Sequence, residues 1–217
     1  MTHPYQIATP LSRRGLLAAG AVSVLLAGCS GGLLSPSQPP PQIYVLQPQF
    51  RKLDDAPSVA WQLSVGRPDA PESLQVDRIV LQRGETMDYF ADAQWTDPAP
   101  RMLQSLLVEA FEASGHIAGV APDSAGVRAD YLLQSELRDF QAEYGGSDAA
   151  PDVRVGIVAR LLTGRGDVIG TLDAHGQARA AANTVAAVVS AFGTATSDCL
   201  ENIVLWALKT APPKPGR

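Results

Sequence analysis

The sequence predicts a single α/β domain: a largely antiparallel sheet with two main helices packed against it. Three observations predict this. Between residues 130 and 178, apolar and polar side chains alternate through three successive segments separated by glycine-bearing loops, the period of strands with one covered face. Two further stretches, about 97–115 and 183–209, repeat apolar residues every three or four positions, the period of helices with one buried stripe. Once an N-terminal leader is set aside, 189 of the 217 residues remain, enough for one sizeable core.

The leader is the stretch Ser12 to Cys29, SRRGLLAAGAVSVLLAGC. Arg13 and Arg14 precede an apolar run, the layout of a secretory signal. That run, Gly15 to Gly28, is shorter than the roughly 20 residues a spanning helix needs, which argues against a permanent transmembrane anchor. Leu26-Ala27-Gly28-Cys29 resembles a bacterial lipobox, whose small residues let a peptidase reach the Gly28–Cys29 bond. Cys29 then becomes the first mature residue and carries lipid on its sulfur. The bland alternative is ordinary cleavage at an A-x-A-like site with Cys29 incidental; the proline-rich segment that follows favours lipidation. Arg13 and Arg14 fit a twin-arginine export signal as well as the positive start of a general secretory signal, and the route stays open. Ser30, in place of the aspartate that retains many lipoproteins on the inner membrane, points to the outer membrane by the usual sorting rule.

The expected organisation is a signal peptide over 1–28, a lipidated proline-rich tether over 29–42, a folded domain over 43–210 and a disordered tail over 211–217. Two of the 17 basic residues and none of the 22 acidic ones fall in the signal, so the mature chain has a formal net charge of −7. That argues against nucleic acid as a partner and against electrostatic adhesion to anionic lipid. Besides Cys29 the sole cysteine is Cys199, so lipidation leaves no disulfide partner; Cys199 lies in an apolar helical pattern and reads as a buried small hydrophobe.

In chain order, Ser30 to Gln42, with four prolines and polar spacers, cannot pack a core, and extended it reaches roughly 40 Å. Ile43 to Leu46 reads as a short strand and Trp61 to Val65 as a half-buried one. Arg78 to Gln82 and Thr86 to Phe90 flank Arg83-Gly84-Glu85, a hairpin-length connection whose glycine suits a positive φ. Asp97 is the expected N-cap and Pro98 the first residue of a helix carrying Met102, Leu103, Leu106, Leu107, Ala110 and Phe111 on one face and stopped by Gly115.

Asp130 to Tyr144 reads as a long strand whose apolar parity switches between Leu137 and Phe140, which predicts a bulge. Val153 to Leu161 is its antiparallel partner; Gly164 to Asp167 turns into a strand from Val168 to about Ala178, completing a meander. Asn183 is the expected cap of a helix over Thr184 to Lys209, with a stripe of Val185, Val188, Phe192, Cys199, Ile203 and Trp206 and a bend at Gly193.

Chemistry-bearing patterns are absent. His116 and His175 each stand alone, without metal-ligand spacing. No G-x-S-x-G, H-E-x-x-H, Walker or G-x-G-x-x-G pattern occurs. Glu136, Asp139 and Glu143 share one strand, but strict alternation puts Glu136 on the opposite face, so they read as a solvated edge and not an acid/base pair. No catalytic, cofactor or metal residue is expected, and no enzyme activity.

Several stretches, in order over about 170 residues, resemble the ABC-type transport auxiliary lipoproteins, the PqiC-like family. They are Tyr44-Val45-Leu46, Ala70-Pro71 with Asp77-Arg78-Ile79, Tyr89 to Trp95, Asp130 to Gln134, Leu137 to Tyr144, and the last helix with Ala191-Phe192 and Trp206. The resemblance implies a mixed sheet. It also implies a role beside an ABC permease and ATPase whose periplasmic part is an MCE-domain protein, moving phospholipid or sterol-like molecules between the inner and outer membranes. Action is then by protein binding, to that partner and to further copies of the chain, with a lipid anchor in the membrane. The alternatives are an envelope lipoprotein that scaffolds outer-membrane assembly and a soluble lipid carrier with an apolar cavity.

Overall fold

A computed structural model describes residues 40–145 and 149–212. The chain divides into Met1–Pro40 and Pro41–Arg217, and the fold is that of the second unit. Its elements are β1 (Gln42–Tyr44), β2 (Val59–Val65), β3 (Arg78–Arg83), β4 (Thr86–Trp95), α1 (Ala99–Ser114), β5 (Ile117–Pro122), β6 (Tyr131–Tyr144), β7 (Asp152–Thr163), β8 (Val168–Arg179) and α2 (Val185–Thr210).

β6 is the spine of one eight-stranded mixed sheet. Along one side it pairs antiparallel with β7, which pairs antiparallel with β8. Along the other it meets three partners in succession: β2, parallel at Tyr131–Leu133; Asp69, whose N–H donates to Ser135 O (2.9 Å) and whose C=O accepts from Leu137 N–H (2.7 Å); and β3, parallel at Ala142–Tyr144. The sheet therefore forks, continuing through β2 to β5 at one end and through β3 to β4 and β1 at the other.

The expected bulge is present as a register shift between Leu137 and Asp139. Before it Tyr131, Leu133 and Leu137 are buried; after it Phe140, Ala142 and Tyr144 are. Both helices pack against the sheet and against each other. Phe192 of α2 closes the core between Trp95 (5.2 Å, edge-on) and Phe140 (4.8 Å), joining β4, β6 and α2. Gly176 of β8 lies so close to α2 that an added Cβ would strike the Ala195 carbonyl, which fixes how tightly the helix seats.

Several boundaries differ from expectation for identifiable reasons. Pro98, in place of Asp97, is the N-cap residue of α1; it makes no side-chain cap, and Asp97 instead pairs with Arg101 at 3.3 Å. Thr184, in place of Asn183, caps α2 by accepting from Ala187 N–H, while Asn183 Oδ1 accepts from the Tyr144 hydroxyl at 2.9 Å. Gly115 does end α1, with φ 68°. β5 is not expected from the sequence, because IAGVAP carries little alternation and owes its strand form to pairing with β2. In the α2 stripe Val188, Phe192, Cys199 and Ile203 are buried, whereas Val185 and Trp206 are half-buried. Gly193 faces the Gln47 carbonyl, 3.3 Å from where a Cβ would sit, so close approach accounts for the glycine. Ala211 is buried and the Pro212 carbonyl accepts from the Tyr131 hydroxyl at 2.9 Å.

Candidate interaction surface

The sequence-expected modification residues, Arg13, Arg14, Gly28 and Cys29, lie outside the described residues, as do residues 213–217 of the expected tail. Those within them do not assemble a reactive centre. His116 Nδ1 is hydrogen-bonded to Ser58 Oγ at 3.0 Å, and its carbonyl accepts from Val59 N–H at 2.8 Å. That ties the residue preceding β5 to the start of β2, and among the described residues no acid pairs with the ring. His175 Nε2 lies 3.1 Å from Asp173 on the exposed side of β8. Among the described residues no group of three His, Cys, Asp or Glu side chains could hold a metal. Cys199 is fully buried, and burial pushes its thiol up to about 12, so it is a packing residue.

The three acids of β6 do not form the expected solvated edge. β6 is internal to the sheet, so they do not line an edge. The bulge also undoes strict alternation: Glu136 and Glu143 both reach arginines on β7, Arg160 at 3.6 Å and Arg154 at 3.4 Å, from the same side of the sheet. With Arg138 between Glu136 (3.4 Å) and Asp173 (4.0 Å), and Arg179 on Asp152 (3.0 Å), β6–β8 carry a ladder of paired, half-exposed charges. Such a face is solvated and contributes little per pair.

Two other surfaces are less complete. The first is the arm 45–51, which follows β1 and lies along α2. Leu46 and Pro48 are buried while Val45, Gln47 and Gln49 face outward. Gln49 N–H donates to Ser197 Oγ at 2.9 Å; Arg51 donates from its backbone and its guanidinium to the buried Glu201 carboxylate at 2.7, 3.0 and 2.6 Å, which pushes the guanidinium further up. Between arm and helix runs an open groove of about 530 Å³ lined by Val45, Gln47, Val189, Ser190 and Thr194 among others.

The second is the outer edge of β4. β3 is not an edge, since β6 covers its other side; in β4, β1 covers Ala93–Trp95, and among the described residues no strand lies on the side of Thr86–Ala91 away from β3. Both surfaces suit protein contact; neither arranges groups for bond-making.

Residues 44–204 match the family described as the ABC-type transport auxiliary lipoprotein component. The chain belongs to this family. A crystal structure of protein XCC0632 from Xanthomonas campestris, assigned to DUF330, is 30% identical, with a TM-score of 0.73 over 78% of this chain and 95% of that one. The crystal structure of a second, uncharacterized protein is 18% identical, with a TM-score of 0.61 over 76% and 97%, and shares the fold. A curated, uncharacterized protein of Bradyrhizobium diazoefficiens is 25% identical over 153 residues, 70% of this chain and 41% of that protein. This auxiliary lipoprotein therefore spans less than half the length of that curated relative. The family is an auxiliary transport component, and its lipoprotein character associates it with the cell envelope. Among the described residues no helix of the auxiliary lipoprotein is long and apolar enough to cross a membrane.

Proposed function

We propose that the protein is a lipid-anchored periplasmic subunit that binds an MCE-type protein of an ABC transporter and assists lipid movement between the inner and outer membranes. In this reading residues 1–28 are removed, Cys29 carries the lipid in the outer membrane, and residues 29–42 tether the domain. Several acyl chains at about 0.8 kcal/mol per buried CH₂ hold firmly where one alone is marginal. A tether confines the domain near the membrane and raises its effective concentration, so a small docking surface suffices.

The observation that carries the reading is the family match over 44–204. The groove and the open β4 edge supply surfaces for contact. The test is affinity purification of the tagged, lipidated protein from its own membranes, read by mass spectrometry. Recovery of an MCE protein with its permease and ATPase is the expected result. Recovery of outer-membrane assembly proteins alone overturns the reading in favour of a scaffold.

A further inference from the structure

β1 stops covering β4 for a reason written in the sequence. Its parallel register sets Gln42 beside Ala93, and one or two residues further back it would set Pro41 and Pro40 beside Asp92 and Ala91. Proline has no N–H to donate and cannot extend the ladder. Among the described residues the rest of the β4 edge is thereby left without a strand of the chain's own.

The hairpin sets which backbone groups that edge presents. Arg83 and Thr86 flank a two-residue turn whose first residue is Gly84, φ 58°. They form a hydrogen-bonded pair, so the N–H and C=O groups of Met87 and Tyr89, on alternate residues, point away from β3. The Tyr89 N–H is taken by Asp88 Oδ1 at 2.8 Å, as that phase requires. Among the described residues no strand takes up the Met87 N–H and C=O or the Tyr89 C=O, beside a Met87 side chain 41% exposed.

The edge is also acidic. Glu85, Asp88 and Asp92 are exposed, and none forms an ion pair among the described residues, whereas Glu136, Glu143, Asp152 and Asp173 on the β6–β8 face each have a basic partner. Arg78 of β3 lies over the Tyr89 ring at 3.6 Å. Two copies pairing β4 to β4 would crowd Asp88 and Asp92, with Glu85 at the turn, against the same acids across a strand spacing of about 4.8 Å, which is destabilising.

We infer that residues 86–91 of β4 accept an extended strand of a different protein, one that alternates Lys or Arg with apolar residues. Backbone bonds would supply affinity and the acids the choice of partner. The inference rests on the reading that this protein works by binding a partner, and it names the surface and the partner's chemistry.

The test uses the full lipidated chain in detergent. The probe is a Lys-Val-Lys-Val-Lys-Val peptide, with Glu-Val-Glu-Val-Glu-Val as control. The basic peptide is expected to slow hydrogen exchange of the Met87 amide, less so in added salt, and the acidic one to leave it unchanged. In a Glu85→Lys, Asp92→Lys variant the preference should reverse. Equal effects of the two peptides, no effect of either, or peptide-free protection of 86–91 accompanied by dimerisation would each overturn the inference. A second arm uses Met87→Pro, which removes the outward donor and keeps the β3–β4 ladder. If this variant melts like the wild type but loses copurification of the transporter, the edge is the docking site. Retained copurification would discard the edge and leave the transport reading standing.

Discussion

The ring of Phe192 in α2 meets Trp95 at the end of β4 edge-on, with centroids 5.2 Å apart and planes at 83°. The contact fastens the last helix to the branch of the sheet that carries the open edge. Phe192→Ala should therefore cost about 3–5 kcal/mol in denaturant unfolding of the domain, and Trp206→Ala, half-buried, clearly less. Equal losses would refute the packing described.

Gly176 and Gly156 are both close-packed, but against different neighbours. At Gly176 an added Cβ meets the Ala195 backbone, which cannot swing away; at Gly156 it meets the Asp139 carboxylate, which can. Gly176→Ala is expected to destabilise by about 1–3 kcal/mol or more and Gly156→Ala by less. Thermal melts of the two variants decide the order.

Cys199 should resist alkylation in the native protein. Burial raises its thiol from 9.0 to about 12, so between these values the folded chain holds it neutral while the unfolded chain ionises it. The stability it contributes is full below the lower value and is lost as pH rises toward the upper one. Iodoacetamide labelling at pH 9, read on the Cys199 peptide, should be slow without urea and fast with it. Rapid native labelling would show the thiol to be accessible.

Much of this architecture was legible from side-chain period alone. β6, β7 and β8 alternate over 12 to 14 residues each, so even the bulge at Leu137–Asp139 showed as a parity switch. The consequence of that bulge for Glu136 was not legible, because a face is assigned by counting and the bulge resets the count. β5 is short and contains Gly119, and its strand form comes from β2, a partner distant in sequence. The caps were misplaced by one residue because Asp97 and Asn183 are good cap types with competing partners, Arg101 and Tyr144. The hairpin itself was legible, but that β3 is covered and β4 open depends on β6 and on the prolines before β1.

Arg51 anchors the arm to α2 through Glu201, whose side chain is 8% exposed. Arg51→Ala leaves that carboxylate without its guanidinium partner, and the arm should loosen. Faster proteolytic cleavage within 45–51, with Glu201→Gln intermediate, is the expected pattern; unchanged cleavage in both variants would show that the arm is held by packing.

Lipidation at Cys29 predicts that Cys29→Ser material leaves the membrane fraction and takes up no labelled palmitate. Retention of both properties would contradict the anchor.

The central claim, that this lipoprotein is a bound subunit of a transporter, is tested most directly from the other side of the complex. The tag is placed on the ATPase subunit of an MCE-type ABC transporter of the same cells, and membranes are solubilised in mild detergent. The account predicts that this chain is recovered together with the MCE protein. Recovery of the ATPase, permease and MCE protein without it would contradict the account.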